Sequence, residues 1–305
     1  MHVNAFECID ENVMALSDNK RYRDMELAPG VFVPDVGMEY PEDDPLARLV
    51  PFKKKRDLKF DETYPFLEDT FAFRLQRHIA YFLVFGPYYL ANWLLYGIRY
   101  EGRGILRKYR KEFRKGIVSV SNHCYALDGM CISEALRHRL WIPMLADHFN
   151  GSQYWHLKYF GGIPLSDGSI SATKKFNEAF DVHHARKAWI HVFAEARSWL
   201  FYKPLRPFQK GAFTWAYKWN APVLPMALTF RPRTGIHKLF GSARIPLVTV
   251  KIGEPIFPDV TQPRKVEVER LCRETHAAVC SLAGIVKNSW PAMLEDMPSD
   301  PQTRN

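Results

Sequence analysis

The chain has 305 residues, is 47% hydrophobic and carries a net charge of +9, enough to bury a full core as one large domain or a domain plus an appendage. The first 70 residues hold 9 Lys and Arg against 16 Asp and Glu, so the rest of the chain carries +16 and suits nucleic acid, an anionic membrane surface or a phosphorylated substrate. The five cysteines are odd in number and include no C-x-x-C pair, which argues against a disulfide framework or a zinc site.

Residues 1–63 are predicted to form an irregular, partly disordered arm. Prolines recur every few residues between Pro29 and Pro51, which excludes a long helix or a central strand. The first residues lack the apolar segment of a signal peptide. Together with the cysteine pattern, this predicts reduced thiols and a cytosolic location.

Residues 64–115 are predicted to form an aromatic helical hairpin and a basic collar. Residues 79–98 carry no charge, and at about 1.5 Å per residue a helix of this length reaches across a bilayer core. Gly86-Pro87 interrupts that helix, however, so we expect one helix over residues 66–85 and a second starting at Pro87. The collar, residues 107–115, has six basic residues in nine. The combination favours a protein lying on the cytoplasmic face of a membrane, bound to anionic lipids. A buried hairpin in a soluble core and a single-pass anchor are the alternatives.

A short apolar strand over residues 116–121 ends at Asn122-His123, and Asp128 follows five residues after the histidine. This places both side chains at the carboxyl edge of a sheet, where open α/β folds locate their chemistry. If Asp128 accepts the proton of one ring nitrogen, the other nitrogen of His123 is fixed as a base. The alternative is an aspartate that only caps a helix.

The remaining pattern predicts an α/β fold with a mixed central sheet flanked by helices. Expected strands alternate with expected helices: strands at 141–146, 188–193, 221–230 and 247–252, and helices at 169–187, from about 208, and from 262 to about 284. We assign residues 116–290 to this domain and residues 291–305 to a tail.

Four blocks in this region resemble the glycerolipid acyltransferase superfamily, which includes the 1-acylglycerol-3-phosphate acyltransferases. The first is Asn122-His123-x-x-x-x-Asp128, similar to the family's His-x-x-x-x-Asp signature. The others are Gly161-Gly162-Ile163-Pro164, Phe193-Ala194-Glu195, and Pro222-Val223-Leu224-Pro225, the last preceded by Lys210-Gly211-Ala212. The resemblance covers roughly residues 79–256. The aromatic hairpin predicted here is similar to the family's membrane-surface anchor.

The resemblance implies an enzyme that moves a fatty acyl group from acyl-CoA or acyl carrier protein to the hydroxyl of a lysolipid or related acceptor, without a cofactor. His123 would be the general base and Asp128 would orient it. The acceptor site would comprise Asn122, Gly161, Gly162, Ile163, Pro164, Glu195 and Arg197. Lys210, Gly211 and Pro225 would lie along the path of the acyl donor.

Two positions depart from the family pattern. Asp167 stands where the second block has an arginine for the acceptor's phosphate, and Arg197 arrives one residue early in the third block. A carboxylate there disfavours a phosphate dianion, so we expect a zwitterionic or neutral lysolipid. The alternative function is a catalytically silent lipid-binding protein.

Metal and nucleic-acid sites are not predicted. His183, His184 and His191 have no carboxylate or cysteine at ligand spacing, and we interpret them as solvated helix positions. The aromatic residues between Trp199 and Trp219 are interpreted as core and acyl-tunnel lining, because no nucleic-acid motif accompanies them.

Overall fold

The computed structural model describes residues 19–49, 54–240 and 245–297, and within them a seven-stranded sheet is the centre of the fold. Its strand order is β2-β8-β7-β3-β6-β4-β5. The run from β7 to β5 is parallel, whereas β8 pairs antiparallel with β7. The strands are β2 (Arg99–Glu101), β3 (Ile117–Ser121), β4 (Leu140–Met144), β5 (Gly162–Pro164), β6 (Trp189–Phe193), β7 (Val223–Arg231) and β8 (Leu247–Ile252). A separate pair joins β1 (Glu26–Leu27) to β9 (Ile285–Lys287).

Eleven α-helices are found in the part of the chain that the structure describes. They are α1 (Lys20–Arg23), α2 (Phe71–Ala80), α3 (Gly86–Tyr96), α4 (Gly104–Lys108), α5 (Arg110–Phe113), α6 (Asp128–Leu136), α7 (Ala146–Phe149), α8 (Tyr154–Phe160), α9 (Ile170–Ala185), α10 (Gly211–Trp219) and α11 (Arg264–Ala283).

The two faces of the sheet bury different helices because successive strand residues point to opposite faces. In β3, Ile117 packs in the cluster that contains the buried side of α6, whereas Val118 and Val120 pack with α10 and α11. The predicted mixed sheet flanked by helices is therefore confirmed. The parallel direction from β7 to β5 also brings the carboxyl ends of five strands to one edge.

The predicted hairpin is wrong, because residues 71–96 are helical throughout. Between α2 and α3 lies a π-helical segment, Tyr81–Phe85, in which the N–H of Gly86 donates to the carbonyl of Tyr81. The backbone of Gly86 is itself helical, with φ −60° and ψ −57°. A π turn widens the helix and disrupts the ordinary ladder, which is how a helix can pass Pro87 without reversing.

The N-terminal arm is irregular, as expected, but its described part is packed rather than solvated. Tyr40 is buried and donates a hydrogen bond of 2.8 Å to the carbonyl of Leu200. Its ring stacks on Trp199 at 6.0 Å, and Trp199 Nε1 donates to the carbonyl of Ala47. Aromatic anchors therefore compensate for the missing secondary structure. Residues 1–18 and 298–305, which belong to the predicted arm and tail, lie outside the described residues.

Candidate active site

The predicted dyad forms at the carboxyl edge of the sheet. His123 follows β3, and Asp128 is the first residue of α6. Nδ1 of His123 donates to Oδ2 of Asp128, because a carboxylate only accepts. The second carboxylate oxygen accepts from the N–H of Gly129 at 2.8 Å, within the first turn of α6, where the helix dipole favours negative charge.

The imidazole of His123 is restrained on a second side. Its ring stacks on Phe193, the last residue of β6, with centroids 4.1 Å apart and an interplanar angle of 17°. Asp128 is buried, whereas the His123 side chain keeps 20% of its surface exposed. Nε2 has no hydrogen-bond partner among residues 19–49, 54–240 and 245–297. The geometry therefore leaves the second ring nitrogen of a partly exposed side chain uncommitted within the described residues.

Glu195 connects the β3 and β6 ends through backbone contacts. Its Oε2 accepts from the N–H of His123 at 2.6 Å, and its Oε1 accepts from the N–H of Arg206 at 2.8 Å. The side chains of Glu195 and Arg206 are both buried, and Nε of Arg206 lies 3.4 Å from Oε1 of Glu195. Glu195 thus fixes the backbone that carries the dyad; the acceptor contact inferred for it stays a prediction.

Arg206 is a structural residue that the sequence did not indicate. Its guanidinium donates to the carbonyl of Pro45 at 2.9 Å and to that of Arg197, and lies over the ring of Trp199 at 4.4 Å. Burial lowers the pKa of Arg206, and Glu195 opposes that shift. The arginine therefore joins the N-terminal arm to the loop after β6. No spacing rule relates residues 45, 195 and 206, so only the folded chain reveals the contact.

The loop after β6 carries Arg197 at the same sheet edge. Ala196, where the family's third block has glycine, adopts φ +64°, a left-handed conformation that favours glycine. The Arg197 side chain is half-buried. His148 of α7 keeps exposed surface, and partial desolvation, followed by the charges of His123, Arg48 and Arg197, lowers its pKa to about 4. Arg48 pairs with Asp147. His148, Arg48 and Arg197 therefore belong to one electrostatic neighbourhood with His123.

Asn122 is committed to the sheet. Its Nδ2 donates to the carbonyl of Leu228 at 3.0 Å, and its Oδ1 accepts from the N–H of Leu228 at 2.8 Å. The amide thus extends the pairing of β3 with β7 beyond the last strand residue. Its inferred role at the acceptor remains a prediction, while its observed role is to hold the chain just before His123.

The second block forms the buried edge strand β5 and the turn before it. A Cβ on Gly161 would lie 2.1 Å from the carbonyl oxygen of Leu140, and one on Gly162 would lie 2.7 Å from Sδ of Met144. Ile163 and Pro164 are buried as well. The glycines are thus required by contacts within the protein. Strand order places this block three strands from β3, about 14 Å away at the usual spacing.

Asp167, the departure in the second block, is exposed beyond β5. Its Oδ1 accepts from the N–H of Ser169 at 2.9 Å, just before α9, which begins at Ile170 with Ser169 as its cap. This carboxylate therefore has a local turn-forming role that the block alignment does not indicate.

The residues inferred for the donor path lie at the start of α10 and on β7. Nζ of Lys210 lies 3.1 Å from Glu269 and 3.3 Å from Glu295. Gly211 opens α10 with free space around its Cα. Pro225 is a buried residue of β7, paired with Val120 of β3. The donor path through these residues stays a prediction.

The histidines interpreted as solvated helix positions include two buried ones. His183 stacks on Trp141 at 3.7 Å. His191 lies on β6, fully buried between the hydroxyls of Ser119 at 2.9 Å and Ser121 at 3.2 Å, and burial lowers its pKa to about 3. That interpretation is wrong for both. No cluster of three or more His, Cys, Asp or Glu suited to a metal occurs within the described ranges.

The four cysteines within the described residues are buried, and burial raises the pKa of each thiol. Cys124, adjacent to His123, is buried, and burial raises the pKa of its thiol well above the usual range. Since the thiolate is the reactive form, Cys124 is an inert packing residue. Cys131, Cys272 and Cys280 are free and buried as well, and Cys8 lies outside the described residues.

Comparison with known proteins shows which part of the chain is similar to a known family. Residues 97–229 match the model of the family described as Acyltransferase. The match contains the dyad and the Glu195 loop, and it confirms the family resemblance found in the sequence. Among solved structures, the chain is similar to the crystal structure of the 1-acyl-sn-glycerophosphate (LPA) acyltransferase PlsC from Thermotoga maritima, with 20% identity over 59% of this chain and 71% of that chain and a TM-score of 0.39. No curated protein matches the chain.

Proposed function

We propose that this chain is an acyltransferase that esterifies the hydroxyl of a lysolipid or related acceptor, using an acyl thioester of CoA or acyl carrier protein. The observation that carries the proposal is the His123–Asp128 contact, which leaves Nε2 of a partly exposed imidazole free in the described part of the chain. An acyltransferase needs a base of this kind, because a neutral hydroxyl attacks a thioester poorly.

The proposed reaction needs no protein nucleophile. Nε2 of His123 takes the hydroxyl proton as the acceptor oxygen forms a bond to the thioester carbonyl carbon. The carbon–sulfur bond then breaks, and the imidazolium returns its proton to the departing thiolate. Asp128 keeps the proton on Nδ1 and stabilises the transient imidazolium.

The test is thiol release from a long-chain acyl-CoA by the purified protein, with and without lysolipid acceptors. His123→Ala should lower kcat about 10²–10⁴-fold without loss of folding. His156→Ala, which removes an exposed histidine of α8, is the matched control. An H123A protein with activity within a few-fold of wild type would refute the mechanism. A wild type that binds lysolipid but releases no thiol would favour the silent lipid-binding protein.

The acceptor headgroup is a separate part of the proposal. Asp167 is bonded to Ser169, so Arg197 is the stronger candidate for setting headgroup charge. In a competition between lysophosphatidate and lysophosphatidylcholine, Arg197→Gln should reduce the share of lysophosphatidate used, and Asp167→Asn should leave it unchanged. The opposite result, with Asp167→Asn raising the lysophosphatidate share, would restore the expectation drawn from the second block.

We also propose attachment to a membrane surface, through the outer face of residues 71–93. Large apolar side chains lie exposed along this face at helical spacing, namely Phe71, Leu75, Ile79, Phe82, Leu83, Leu90 and Trp93. No helix in the described ranges is both long and apolar enough to cross a membrane. An apolar face on a basic domain fits an interface containing anionic lipid.

Vesicle sedimentation tests this attachment. Phe82→Glu/Leu90→Glu should abolish binding to vesicles of mixed phosphatidylcholine and phosphatidylglycerol, because two carboxylates would enter the apolar interface. Ile170→Glu/Val266→Glu changes two equally exposed apolar residues elsewhere and should bind as wild type does. Equal binding by all three proteins would exclude this face.

A further inference from the structure

A pocket with three arginines lies against the inner side of the helical segment 71–96. Its volume is about 440 Å³, and its walls include Arg103, Arg137 and Arg139 together with Tyr81 and Tyr89 of that segment. We call it the arginine pocket. Its arginines flank α6 and its C-terminus, whereas the dyad lies at the N-terminus of the same helix, so the two sites are separate.

The three arginines differ in the hydrogen bonds that they make within the protein. Arg103 donates to the carbonyls of Glu134 at 2.6 Å and Ala135 at 3.0 Å, which closes the C-terminus of α6. Arg137 and Arg139 are exposed, and their side chains make no hydrogen bond or ion pair in the described part of the chain. The guanidinium of Arg139 lies over the ring face of Tyr81, at 4.6 Å.

The charges of the pocket repel one another. Burial lowers the pKa of Arg103, and the charge of Arg137 lowers it further. Glu134 is the pocket's one carboxylate; it is half-buried, and burial raises its pKa. Three guanidinium groups against one carboxylate leave an excess of positive charge, with the two least compensated arginines on the solvent side.

Since these arginines border the proposed membrane face, we propose that the pocket binds the phosphate of a bilayer phospholipid. Tyr81 and Tyr89 form one wall, and the adjacent Phe82 and Leu90 point outward, 80% and 68% exposed. A segment that places those two side chains among acyl chains would bring the pocket to the level of the lipid phosphates. Arginine pairs with phosphate oxygens in a fork geometry.

This inference rests on the proposed membrane attachment and is independent of acyl transfer. It explains why exposed arginines gather behind an apolar helix face without acidic partners of their own. Bound lipid would fix the rotation of the segment about its axis, because apolar contact alone does not define how a helix is turned in an interface. A free phosphate ion has the same chemistry and is the competing source.

The experiment compares two double substitutions of equal charge. Arg137→Gln/Arg139→Gln removes the solvent-side charges of the pocket. Arg264→Gln/Lys265→Gln removes two exposed charges at the start of α11, which packs on the opposite face of the sheet. Binding to phosphatidylcholine vesicles with and without phosphatidylglycerol is measured near physiological salt. Thermal unfolding in inorganic phosphate is measured in parallel, against equal ionic strength of chloride.

We expect the pocket variant to lose about 30-fold in affinity for the anionic vesicles, from two charges near the surface, and the α11 variant to change by less than about threefold, because distant charges are screened. Glu134→Gln should change affinity in the opposite direction, with a gain of up to about fivefold. That gain requires a folded site and separates binding from loss of structure.

Each other outcome overturns the proposal in a recognisable way. Equal losses in the two double variants would mean general charge attraction. Stabilisation of wild type by inorganic phosphate, with vesicle binding unaffected in the pocket variant, would assign the pocket to free phosphate. A wild type that binds no vesicle would overturn the membrane attachment itself, whereas a wild type that binds well beside an unaffected pocket variant would overturn the pocket alone.

Discussion

Removing the charge of Glu195 should destabilise the fold of the whole domain, and this should be its main effect rather than a change in substrate binding. The carboxylate accepts hydrogen bonds from the backbone of His123 at 2.6 Å and of Arg206 at 2.8 Å, and pairs with the buried Arg206 guanidinium. In Glu195→Gln only one oxygen remains to accept. One buried N–H then loses its partner, at a cost of about 1–3 kcal/mol.

The second loss is electrostatic. A buried arginine without its counter-charge costs about 3–5 kcal/mol when the partner is removed. The carbonyls of Pro45 and Arg197 still solvate the guanidinium, and the two losses concern the same carboxylate, so they do not add in full. We therefore expect Glu195→Gln to lower the free energy of unfolding by about 3–5 kcal/mol.

Urea unfolding followed by tryptophan fluorescence and far-ultraviolet circular dichroism measures this loss. Glu269→Gln is the control, because that carboxylate pairs with Lys210 at a partly exposed position and should cost less than about 1 kcal/mol. Adding Arg206→Met to Glu195→Gln should recover part of the stability by removing the unpaired charge. A Glu195→Gln protein within about 1 kcal/mol of wild type, with a raised KM for the acceptor, would refute the structural role and favour direct contact with substrate.

The remaining predictions concern backbone and pH. Gly161→Ala should cost about 3 kcal/mol or more, because the new Cβ would lie 2.1 Å from the carbonyl oxygen of Leu140 at φ +116°, whereas Gly211→Ala should stay within about 0.5 kcal/mol in thermal unfolding. Ala196→Gly should raise the free energy of unfolding by roughly 0.5–1 kcal/mol, because glycine adopts the left-handed conformation of Ala196 without strain and this gain exceeds its larger loss of backbone entropy. A destabilised variant would contradict this. Burial lowers the pKa of Lys203 from 10.5 to about 8, so the unfolded chain holds this proton more tightly and stability should rise between pH 8 and 10. Lys203→Met should abolish that rise; an unchanged pH profile would exclude the assignment.

The elements with a clear period were predictable from the sequence. Alternating or continuous apolar residues predict strands, and the expected strand at 247–252 coincides with β8. The dyad was also predictable, because a strand that stops at His123 and a helix that starts at Asp128 determine where both side chains lie. These inferences depend on neighbours in sequence, for which spacing is a sufficient guide.

Contacts between distant segments were not predictable. A Cβ at Gly161 would meet the carbonyl oxygen of Leu140 and one at Gly162 would meet Sδ of Met144, contacts that the block alone does not indicate, while the inferred acceptor role of both glycines stays a prediction. The proline at 87 suggested a hairpin, but a π segment accommodates it within a continuous helix. The glycine contacts involve residues distant along the chain, whereas the π segment rests on a local hydrogen bond from Gly86 to Tyr81 that the apolar spacing does not indicate.

The fold couples the base to the headgroup candidate through a single buried side chain. Glu195 accepts from the His123 backbone, and the Arg206 that it pairs with donates to the carbonyl of Arg197. His123 and Arg197 are therefore positioned by one hydrogen-bond network, although the first follows β3 and the second follows β6. The left-handed Ala196 keeps the glycine-like turn of this loop despite the changed sequence. If Arg197 sets the headgroup charge, as we propose, this network would fix the position of that charge relative to His123.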